Sequence, residues 1–225
     1  MINFGFYNMD CMDGMKEFPD KYFDLAVVDP PYGIGESGEK NHTRSKLAVS
    51  KKYKPYTGKD LKSPEQDYFK ELMRVSKNQV IFGANHFISK IPVDSHCWIV
   101  WDKENGENDF ADCELAWTSF DSAVRIFRFR WQGMIQGNMR KKEIRIHPNQ
   151  KPIPLYEWIL NQYTKPGDII LDTHVGSASS LIACRNTGHK YVGFELDPYY
   201  YELAKKRLDA EESQMNLFDF PEVMP

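Results

Sequence analysis

The sequence predicts an α/β fold with a mostly parallel sheet and helices on both faces. Two observations predict it. Apolar segments of strand length alternate with segments at helical spacing, most clearly over 168–208, and such βαβ units give parallel strands with right-handed crossovers. The apolar run 23–28 also stops abruptly at Asp29-Pro30, as a buried parallel strand does. The length of 225 residues fits one domain with a small insertion.

The individual elements follow from the same periodicity. Ser63-Pro64-Glu65-Gln66 has the N-cap, the first-turn proline and the capping-box glutamine of a helix start, and an apolar helical face continues to Ser76. Asp197-Pro198 caps the last helix. We predict the strands to span 23–28, 79–82, 97–101, 115–120, 124–131, 168–172 and 191–195. We predict two further helices, over 152–163 and through Leu181 to near Gly188.

Composition limits the function classes. A net charge of −3 gives no global basic field, so nucleic-acid binding by charge alone is excluded, although a local basic patch is not. Apolar runs such as 98–101 are too short to span a bilayer, and no signal peptide is visible, so we expect a cytoplasmic protein. No Cys/His spacing suits zinc, and we expect no metal. The thiols expected to be reduced are Cys11, Cys97, Cys113 and Cys184.

A loop of small residues connects the strand at 168–172 to the next helix. This loop, 172–179, lets a ligand approach the backbone near a helix N-terminus. Glu195 ends the following strand, 23 residues after Asp172, where a carboxylate can accept both hydroxyls of a ribose. Because the loop lacks the three glycines of a dinucleotide fingerprint, a nucleoside without pyrophosphate fits better than NAD. The alternative is a tight turn with a surface acid.

The segment Asp29-Pro30-Pro31-Tyr32 predicts a binding arm just beyond the buried strand. Each proline fixes its own φ and keeps the preceding residue extended, at the strand end where ligands bind in open α/β sheets. The Asp29 carboxylate and the Pro30 carbonyl can accept the two hydrogens of an amine on a planar group, and Tyr32 can stack on its face. The alternative is a proline-rich turn that ends the strand.

The segment Asp29 to Ile34, with the nucleoside loop after it, resembles the amino-group DNA methyltransferases. In that family the DPPY motif is catalytic and the loop binds S-adenosylmethionine, which implies a Rossmann-like methyltransferase fold. The order of motifs, catalytic first and cofactor loop last, resembles the circularly permuted beta class. Asn8 to Cys11 is similar to the segment before the catalytic strand, and His147 to Pro152 to the H-P-x-Q-K-P motif. Segments 82–87 and 98–103 resemble phage and prophage adenine methylases.

The resemblance implies a set of site residues. The catalytic residues are Asp29, Pro30, Pro31 and Tyr32. The residues implied to bind S-adenosylmethionine are Asp10, Asp29, His147, Asn149, Lys151, Asp172, Thr173, His174, Val175, Gly176, Ser177, Glu195 and Leu196.

The cofactor loop departs from the family pattern D-P-F-x-G-S-G-T. Thr173-His174 stand where the family has Pro-Phe, and Ala178 replaces the second glycine. We expect these departures to weaken cofactor binding and to leave the fold unchanged. For His174, lining the cofactor site is favoured over acting as a catalytic base, because the chemistry needs no histidine base.

The resemblance also implies a reaction, transfer of a methyl group to the N6 amine of an adenine in double-stranded DNA. The base is flipped out of the duplex and stacks on Tyr32, while Asp29 and Pro30 aim the amine lone pair at the sulfonium methyl. Aspartate at position 29 favours adenine, because cytosine enzymes of this family more often carry serine there. The alternatives are cytosine-N4 methylation, methylation of RNA, and a non-catalytic DNA-binding regulator.

The methyltransferase domain is predicted over 1–212. Within it, 35–60 is a mobile basic loop, and 102–147 occupies the family's target-recognition position as a small insertion, which suits a short recognition site or reading by a dimer. The chain is expected to be a monomer or a homodimer. Local positive charge suits DNA phosphates, with an ordinary solvated surface as the alternative. The candidate DNA-binding residues are Lys40, Arg44, Lys51, Lys52, Lys54, Arg140, Lys141 and Lys142.

Residues 213–225 are predicted to form a C-terminal tail. Gln214, Leu217 and Phe218 resemble the Q-x-x-L-F peptides by which bacterial DNA enzymes bind the replication sliding clamp. A flexible tail with one polar and two apolar anchors suits docking into a groove. The alternative is that the apolar side chains pack on the protein's own surface.

Overall fold

The computed structural model describes residues 2–35, 53–54, 60–106, 111–132 and 135–218, with the backbone alone over 212–218. The strands are β1 Gly5–Asn8, β2 Phe23–Val28, β3 Ser76–Phe82, β4 Trp98–Asp102, β5 Cys113–Thr118, β6 Arg125–Arg128, β7 Trp131–Gln132, β8 Ile135–Gln136, β9 Ile169–Asp172 and β10 Lys190–Glu195. The helices are α1 Cys11–Lys16, α2 Gln66–Val75, α3 Ile153–Tyr163, α4 Ser179–Asn186 and α5 Pro198–Phe218.

Eight strands form one sheet in the order β1-β10-β9-β2-β3-β5-β4-β6. Strand β5 runs antiparallel to both of its neighbours, and every other pairing in this sheet is parallel. The mostly parallel α/β sheet is therefore confirmed. Strand β1 and helix α1 were not predicted, since four and six residues are too short to show a clear period.

Strands β9 and β2 are neighbours in the interior of the sheet. From β2 the chain continues to β3 on one side, and from β9 to β10 on the other side. The strand order thus reverses between them, and ligands in open α/β sheets bind at this kind of position, beyond the carboxyl ends of the strands. The segments that leave these two ends are 29–32 and 173–178.

The hydrophobic core covers both faces of the sheet, and β2 illustrates how. Ala26 and Val28 pack in a cluster with residues of α1 and α2, such as Met15 and Leu72. The alternate residues Leu25 and Val27 pack in a second cluster with residues of α3 and α4. Because successive side chains of a strand point to opposite faces, the predicted helices on both faces are confirmed.

The start of α2 was predicted two residues too early. Ser63 is not the N-cap; the helix begins at Gln66 and its cap residue, Glu65, makes no capping hydrogen bond with its side chain. Lys90 Nζ donates to Ser63 Oγ at 3.1 Å and to the Pro64 carbonyl at 3.0 Å. This lysine holds the segment extended, so a long-range contact overrides the local capping pattern.

The segment 102–147, predicted as a target-recognition insertion, contains strands of the main sheet. Strands β5 and β6 lie within this range and belong to the main sheet. The alternating apolar residues of β5 are part of the central core, and Ala116 and Trp117 are fully or almost fully buried. Among the strands that the structure describes, β7 and β8 form a separate pair outside this sheet, and the target-recognition role of 102–147 stays a prediction.

The last helix continues farther than predicted. Helix α5 extends to Phe218, whereas a flexible tail was predicted from 213. Residues 210–218 contain no glycine or proline and consist mostly of good helix formers, which explains the extension. The Asp197 cap is confirmed, because its carboxylate accepts the Tyr199 amide at 2.9 Å. Among the described residues, no helix combines the length and the apolar character needed to cross a membrane.

Candidate active site

The Asp29 side chain is the centre of the site at the end of β2. Its Oδ1 accepts the Tyr32 hydroxyl at 2.7 Å, and its Oδ2 accepts the Lys151 ammonium at 2.5 Å. Pro30, the next residue in the chain, is buried. The extended Asp-Pro-Pro backbone therefore places the carboxylate in a fixed position beyond the strand, close to the ring of Tyr32.

Lys151, which was predicted to bind the cofactor, lies against the Asp29 carboxylate. Its side chain is 4% exposed. Besides Asp29, it contacts Glu114 Oε2 at 3.0 Å and the Tyr32 hydroxyl at 3.1 Å. Glu114, on β5, also accepts Lys103 Nζ at 2.6 Å. Two carboxylates and two ammonium groups thus form one compact network.

Sequence reasoning missed Glu114 and Lys103. The available signal for Glu114 was an acid inside an otherwise apolar strand, between Cys113 and Leu115, since an unpaired charge is costly at such a position. No local pattern connects this acid to Lys151, because the two meet only when β5 takes its place in the sheet.

The network controls the charges of its members. Burial raises the pKa of the Asp29 carboxyl, and the ammonium of Lys151 opposes this effect. Burial also works against the charged form of Lys151, but Asp29 and Glu114 together raise the pKa of the ammonium above its usual value. Burial of Glu114 is outweighed by Lys151 and Lys103, which lower its pKa to about 2. Lys151 therefore remains a cation at neutral pH.

The ring of Tyr32 is seated against the turn that follows β3. A Cβ added to Gly83 would lie 2.1 Å from Tyr32 Cε1, so only glycine leaves room for the ring. Gly83 also has φ +66°, which favours glycine. The exposed imidazole of His86 stacks on Tyr32 at 5.1 Å between ring centroids and 17° between planes. Aromatic surface thus surrounds the arm that was predicted to receive a planar base.

Asp60 fixes the chain just after the DPPY segment. Its carboxylate accepts the amides of Gly33 at 2.9 Å and Ile34 at 3.2 Å, and its backbone carbonyl accepts Gly35 N at 2.8 Å. The Asp60 residue is 3% exposed. These bonds hold the exit of the DPPY segment beside the entry to α2.

The cofactor-binding candidates of the second loop meet at the end of β9. Asp172 accepts the His174 amide at 2.9 Å and the Ser180 hydroxyl, and burial raises its pKa to about 7. Glu195 Oε2 accepts Gly176 N at 2.8 Å, so the acid at the end of β10 reaches the loop directly. Burial also raises the pKa of Glu195. Val175 and Ser177 are buried in the same loop.

Tyr68 of α2 contacts both Thr173 and His174. Thr173 Oγ1 is 2.6 Å from the Tyr68 hydroxyl and 2.9 Å from His174 Nδ1, and the Tyr68 and His174 rings meet edge to face at 5.5 Å. Burial lowers the pKa of His174 to about 4. The imidazole is therefore neutral at physiological pH and adds no positive charge to the loop.

Ala178, which stands where the family has its second glycine, adopts a backbone conformation that favours glycine. It has φ 63° and ψ 17°, the left-handed region, and its side chain is fully buried. An alanine in this region costs about 1–2 kcal/mol relative to right-handed backbone. The family's glycine avoids this cost, so the loop keeps its shape here against a local strain.

The remaining cofactor candidates border the same loop. His147 is close enough that a Cβ on Gly176 would lie 3.6 Å from its Nδ1, and burial lowers its pKa to about 3. Asp10 caps α1 by accepting Met12 N at 2.7 Å, two residues after Asn8, which pairs with Glu195. Asn149 and Leu196 are exposed.

The candidate DNA-binding residues fall into two groups. Lys54, Arg140, Lys141 and Lys142 are exposed, and Lys54 Nζ lies 4.7 Å above the Tyr199 ring. The clamp-peptide candidates Gln214, Leu217 and Phe218 lie within helix α5. The candidates that lie outside the described residues are Lys40, Arg44, Lys51 and Lys52.

The loop has the chemistry for a nucleoside cofactor. Glu195 supplies acceptor oxygens for hydroxyl groups, and glycine is required at position 193, where a Cβ would lie 2.8 Å from Val175 Cγ2. Gly176 has φ +57°, and a Cβ there would be in ordinary van der Waals contact with the His147 ring, 3.6 Å from Nδ1. These features fit a ribose and an adjoining group close to the backbone, as the nucleoside of S-adenosylmethionine requires.

Comparisons with known proteins agree with this site. The N6_N4_Mtase family, described as DNA methylase, matches residues 37–206. The type II methyltransferase M.HpaI of Haemophilus parainfluenzae is 24% identical over an alignment of 250 positions, which covers 93% of this chain and 76% of that protein.

Solved structures share the fold. The M1.HpyAVI–SAM complex has a TM-score of 0.58 and 22% identity, and the match covers 91% of this chain and 98% of that one. The cytosine-N4-specific PvuII DNA methyltransferase has a TM-score of 0.58 and 14% identity, with 95% of both chains covered.

The chain therefore belongs to the DNA methylase family that modifies exocyclic amines at N6 or N4. Its fold is that of the S-adenosylmethionine-dependent DNA methyltransferases, and S-adenosylmethionine is its cofactor.

Proposed function

We propose that this chain methylates the N6 amine of an adenine that has been flipped out of double-stranded DNA. The observation that carries the proposal is the Asp29 carboxylate, fixed between Lys151 and Tyr32 at the end of β2. Beside it stands the Pro30 carbonyl. One strand away, on β9, begins the loop that suits a nucleoside. This arrangement supplies two acceptors for one amine next to a cofactor site.

The chemistry of the chain's own residues is mainly positioning. S-adenosylmethionine supplies an electrophilic methyl group on a sulfonium sulfur. Asp29 and Pro30 accept the two amine hydrogens, which concentrates the nitrogen lone pair and directs it away from the base ring. The methylated amine carries a surplus proton, which Asp29 can accept and release to water. Glu195 and the Thr173–Ala178 loop would hold the nucleoside, with His147 beside Gly176.

The planar base is received by aromatic surface. A target base in a duplex must leave the stack to reach Asp29, and Tyr32 is the ring nearest to that carboxylate. The positions of Gly83 and His86 against Tyr32 keep this ring from turning away. Duplex DNA is the proposed substrate, with phosphate contacts from the basic residues of the predicted patches.

Cytosine-N4 methylation is the second candidate. Its amine presents the same two hydrogens, and the cytosine-N4-specific PvuII enzyme shares the fold over 95% of this chain. Aspartate rather than serine at position 29 supports adenine, as the family resemblance implies. If the protein methylates neither adenine nor cytosine in DNA, the remaining candidates are methylation of RNA and a non-catalytic DNA-binding regulator.

The test is methyl transfer from labelled S-adenosylmethionine to unmethylated DNA, followed by mass spectrometry of the nucleosides. Asp29→Asn removes the charged acceptor at constant shape, and Asp94→Asn, at an exposed position, is the matched control. We expect N6-methyladenine from the wild type and the control, and none from Asp29→Asn. N4-methylcytosine would replace the adenine assignment. Calorimetry that finds DNA binding without cofactor binding would support the regulator.

The sliding clamp is a further proposed partner, through Gln214, Leu217 and Phe218. Docking of the peptide in an extended groove would require the end of α5 to unwind. Deletion of 214–220 should abolish binding to the clamp in a pull-down and leave methyl transfer to free DNA unchanged. Equal clamp binding by the deleted and full-length chains would end this proposal.

A further inference from the structure

Glu114 connects the middle of the sheet to the catalytic carboxylate. Its side chain is 23% exposed, and its two oxygens contact different lysines, Oε1 at 2.6 Å from Lys103 and Oε2 at 3.0 Å from Lys151. Neither lysine reaches this acid by sequence proximity. Glu114 does not need to touch a substrate to influence the reaction, because Lys151 lies between it and Asp29.

The Lys151 ammonium has three donor hydrogens and three acceptors around it. These are Asp29 Oδ2 at 2.5 Å, Glu114 Oε2 at 3.0 Å and the Tyr32 hydroxyl at 3.1 Å. A lysine with all three donors engaged is held in one position. Asp29 Oδ2 accepts one hydrogen bond from Lys151, and Asp29 Oδ1 accepts one from the Tyr32 hydroxyl. Lone pairs of both oxygens remain for a target amine.

The charges of this network cancel. Asp29 and Glu114 are balanced by Lys151 and Lys103, which are paired with them in the structure. Without the charge of Glu114, the cluster would carry one net positive charge next to a site for a cationic methyl donor. It would also leave Asp29 as the only carboxylate for Lys151, and a carboxylate bound more tightly to an ammonium is a weaker acceptor for an amine.

We propose that Glu114 is a positioning residue for methyl transfer, which holds Lys151 in place and shares its charge, so that Asp29 remains a strong acceptor for the target amine. This inference rests on the proposed function. It assigns to Glu114 an electrostatic effect on Asp29 that a merely structural residue of β5 would not have.

The sign of that effect follows from the groups that face Asp29. Lys151 lowers the pKa of Asp29 and Glu114 raises it. The other groups around the carboxylate are Tyr32, Tyr68 of α2, Tyr156 of α3 and Asp172 of β9. Loss of the Glu114 charge therefore lowers the pKa of Asp29, whereas loss of the more distant positive charge of Lys103 raises it.

The test compares Glu114→Gln, which removes the charge, with Glu114→Asp, which keeps it. Glu202→Gln, the same change at an exposed acid of α5, is the matched control. Single-turnover methyl transfer is measured against pH, together with the KM for S-adenosylmethionine. The carboxyl carbon of Asp29 is titrated by ¹³C NMR, with Asp29→Asn to assign the signal.

We expect Glu114→Gln to lower the rate constant about tenfold, the effect of weakening one charged hydrogen bond, with little change in KM. The Asp29 midpoint should move to lower pH by about half a unit, as loss of a nearby like charge requires. Glu114→Asp should keep the wild-type midpoint, and Lys103→Met should move it to higher pH. Glu202→Gln should change neither rate nor midpoint.

An unchanged Asp29 midpoint in Glu114→Gln would overturn the inference, whatever the rate. If Glu114→Gln does not fold, the midpoints of Glu114→Asp and Lys103→Met decide, and equal shifts in the same direction would overturn it. A wild-type enzyme that methylates no nucleic acid would refute the proposed function alone. The NMR titration would still decide whether Glu114 acts on Asp29.

Discussion

Lys151 Nζ and Asp29 Oδ2 lie 2.5 Å apart although 122 residues separate them in the chain. The segment before α3 thereby supplies the counterion of the carboxylate that follows β2. This pair makes the proposed amine acceptor an anion at a buried position, where a lone carboxyl would hold its proton.

Replacement of Lys151 by methionine should uncouple this pair. Removing one partner of a buried ion pair costs about 3–5 kcal/mol in the free energy of unfolding. The pKa of Asp29, already raised by burial, rises further when the opposing ammonium is gone. The acid limb of the methyl-transfer profile should therefore move to higher pH, opposite to the shift expected for Glu114→Gln. Urea unfolding and pH–rate profiles measure both effects, with Lys190→Met at an exposed site as the control; equal stability of both variants would contradict the prediction.

Gly83→Ala should displace Tyr32, and Gly106→Ala provides a comparison at the same backbone conformation. Both glycines have positive φ, +66° and +67°, so both substitutions cost about 1–2 kcal/mol of backbone strain. Only at Gly83 does the new Cβ meet a ring, whereas nothing lies within 4 Å at Gly106. We expect Gly83→Ala to lose most methyl transfer and Gly106→Ala to retain it. Similar losses in both variants would show that backbone strain, not the position of Tyr32, is responsible.

His174 should make stability depend on pH. Its pKa is lowered by burial to about 4, below the ordinary value near 6.5 of an unfolded histidine. Between these values the unfolded chain binds more protons, so the contribution of His174 to stability is present above pH about 6.5 and is lost as the pH falls toward 4. His174→Phe removes this contribution.

Urea unfolding of the wild type and His174→Phe at several pH values between 4 and 7 tests the prediction. The difference in unfolding free energy between the two should change by at most about 1.4 kcal/mol per pH unit, the limit for one proton. Toward the acidic end of this range, the free energy of unfolding of His174→Phe should rise relative to that of the wild type. The raised pKa of Asp172 acts in the opposite direction, but it is common to both proteins and cancels in the difference. A constant difference across this range would contradict the prediction.

Ala178 should tolerate glycine and reject valine. Glycine relieves the left-handed strain but loses a buried methyl group and gains unfolded-state entropy, so the free energy of unfolding should change by about 1 kcal/mol or less. Valine adds a branched side chain at the same φ of 63° in a fully buried position, and should destabilise by more than about 2 kcal/mol. Thermal unfolding with and without S-adenosylmethionine measures both. A glycine variant with lost cofactor binding would contradict the interpretation of Ala178 as a strained substitute.

The sequence was sufficient to predict the elements whose structure depends on local periodicity or on the covalent geometry of proline. The strand–loop–helix units from Ile169 to Leu208 keep their periodicity, because their strands are buried on both faces and their helices follow at once. The two prolines at 30 and 31 specify an extended arm through their own covalent geometry. The position of Glu195 against Gly176 follows from the parallel pairing of β9 and β10.

Long-range contacts account for what the sequence could not predict. Glu114 reaches Lys151 only through the antiparallel insertion of β5 between β3 and β4, and no local rule places β5 there. The same strand order places β5 and β6, which lie within 102–147, in the main sheet. The predicted start of α2 was too early because Ser63 accepts a hydrogen bond from Lys90 instead of capping the helix.

The neighbouring positions of β2 and β9 have a consequence for synthesis of the chain. Asp24 of β2 accepts the amide of Ile169 of β9, a contact across 145 residues. At about 5–20 residues per second, a ribosome needs roughly 7–30 s to make the intervening chain. During that time the DPPY arm has no cofactor loop beside it. A prematurely terminated product would thus contain the proposed amine-binding arm without the loop that is proposed to hold the cofactor.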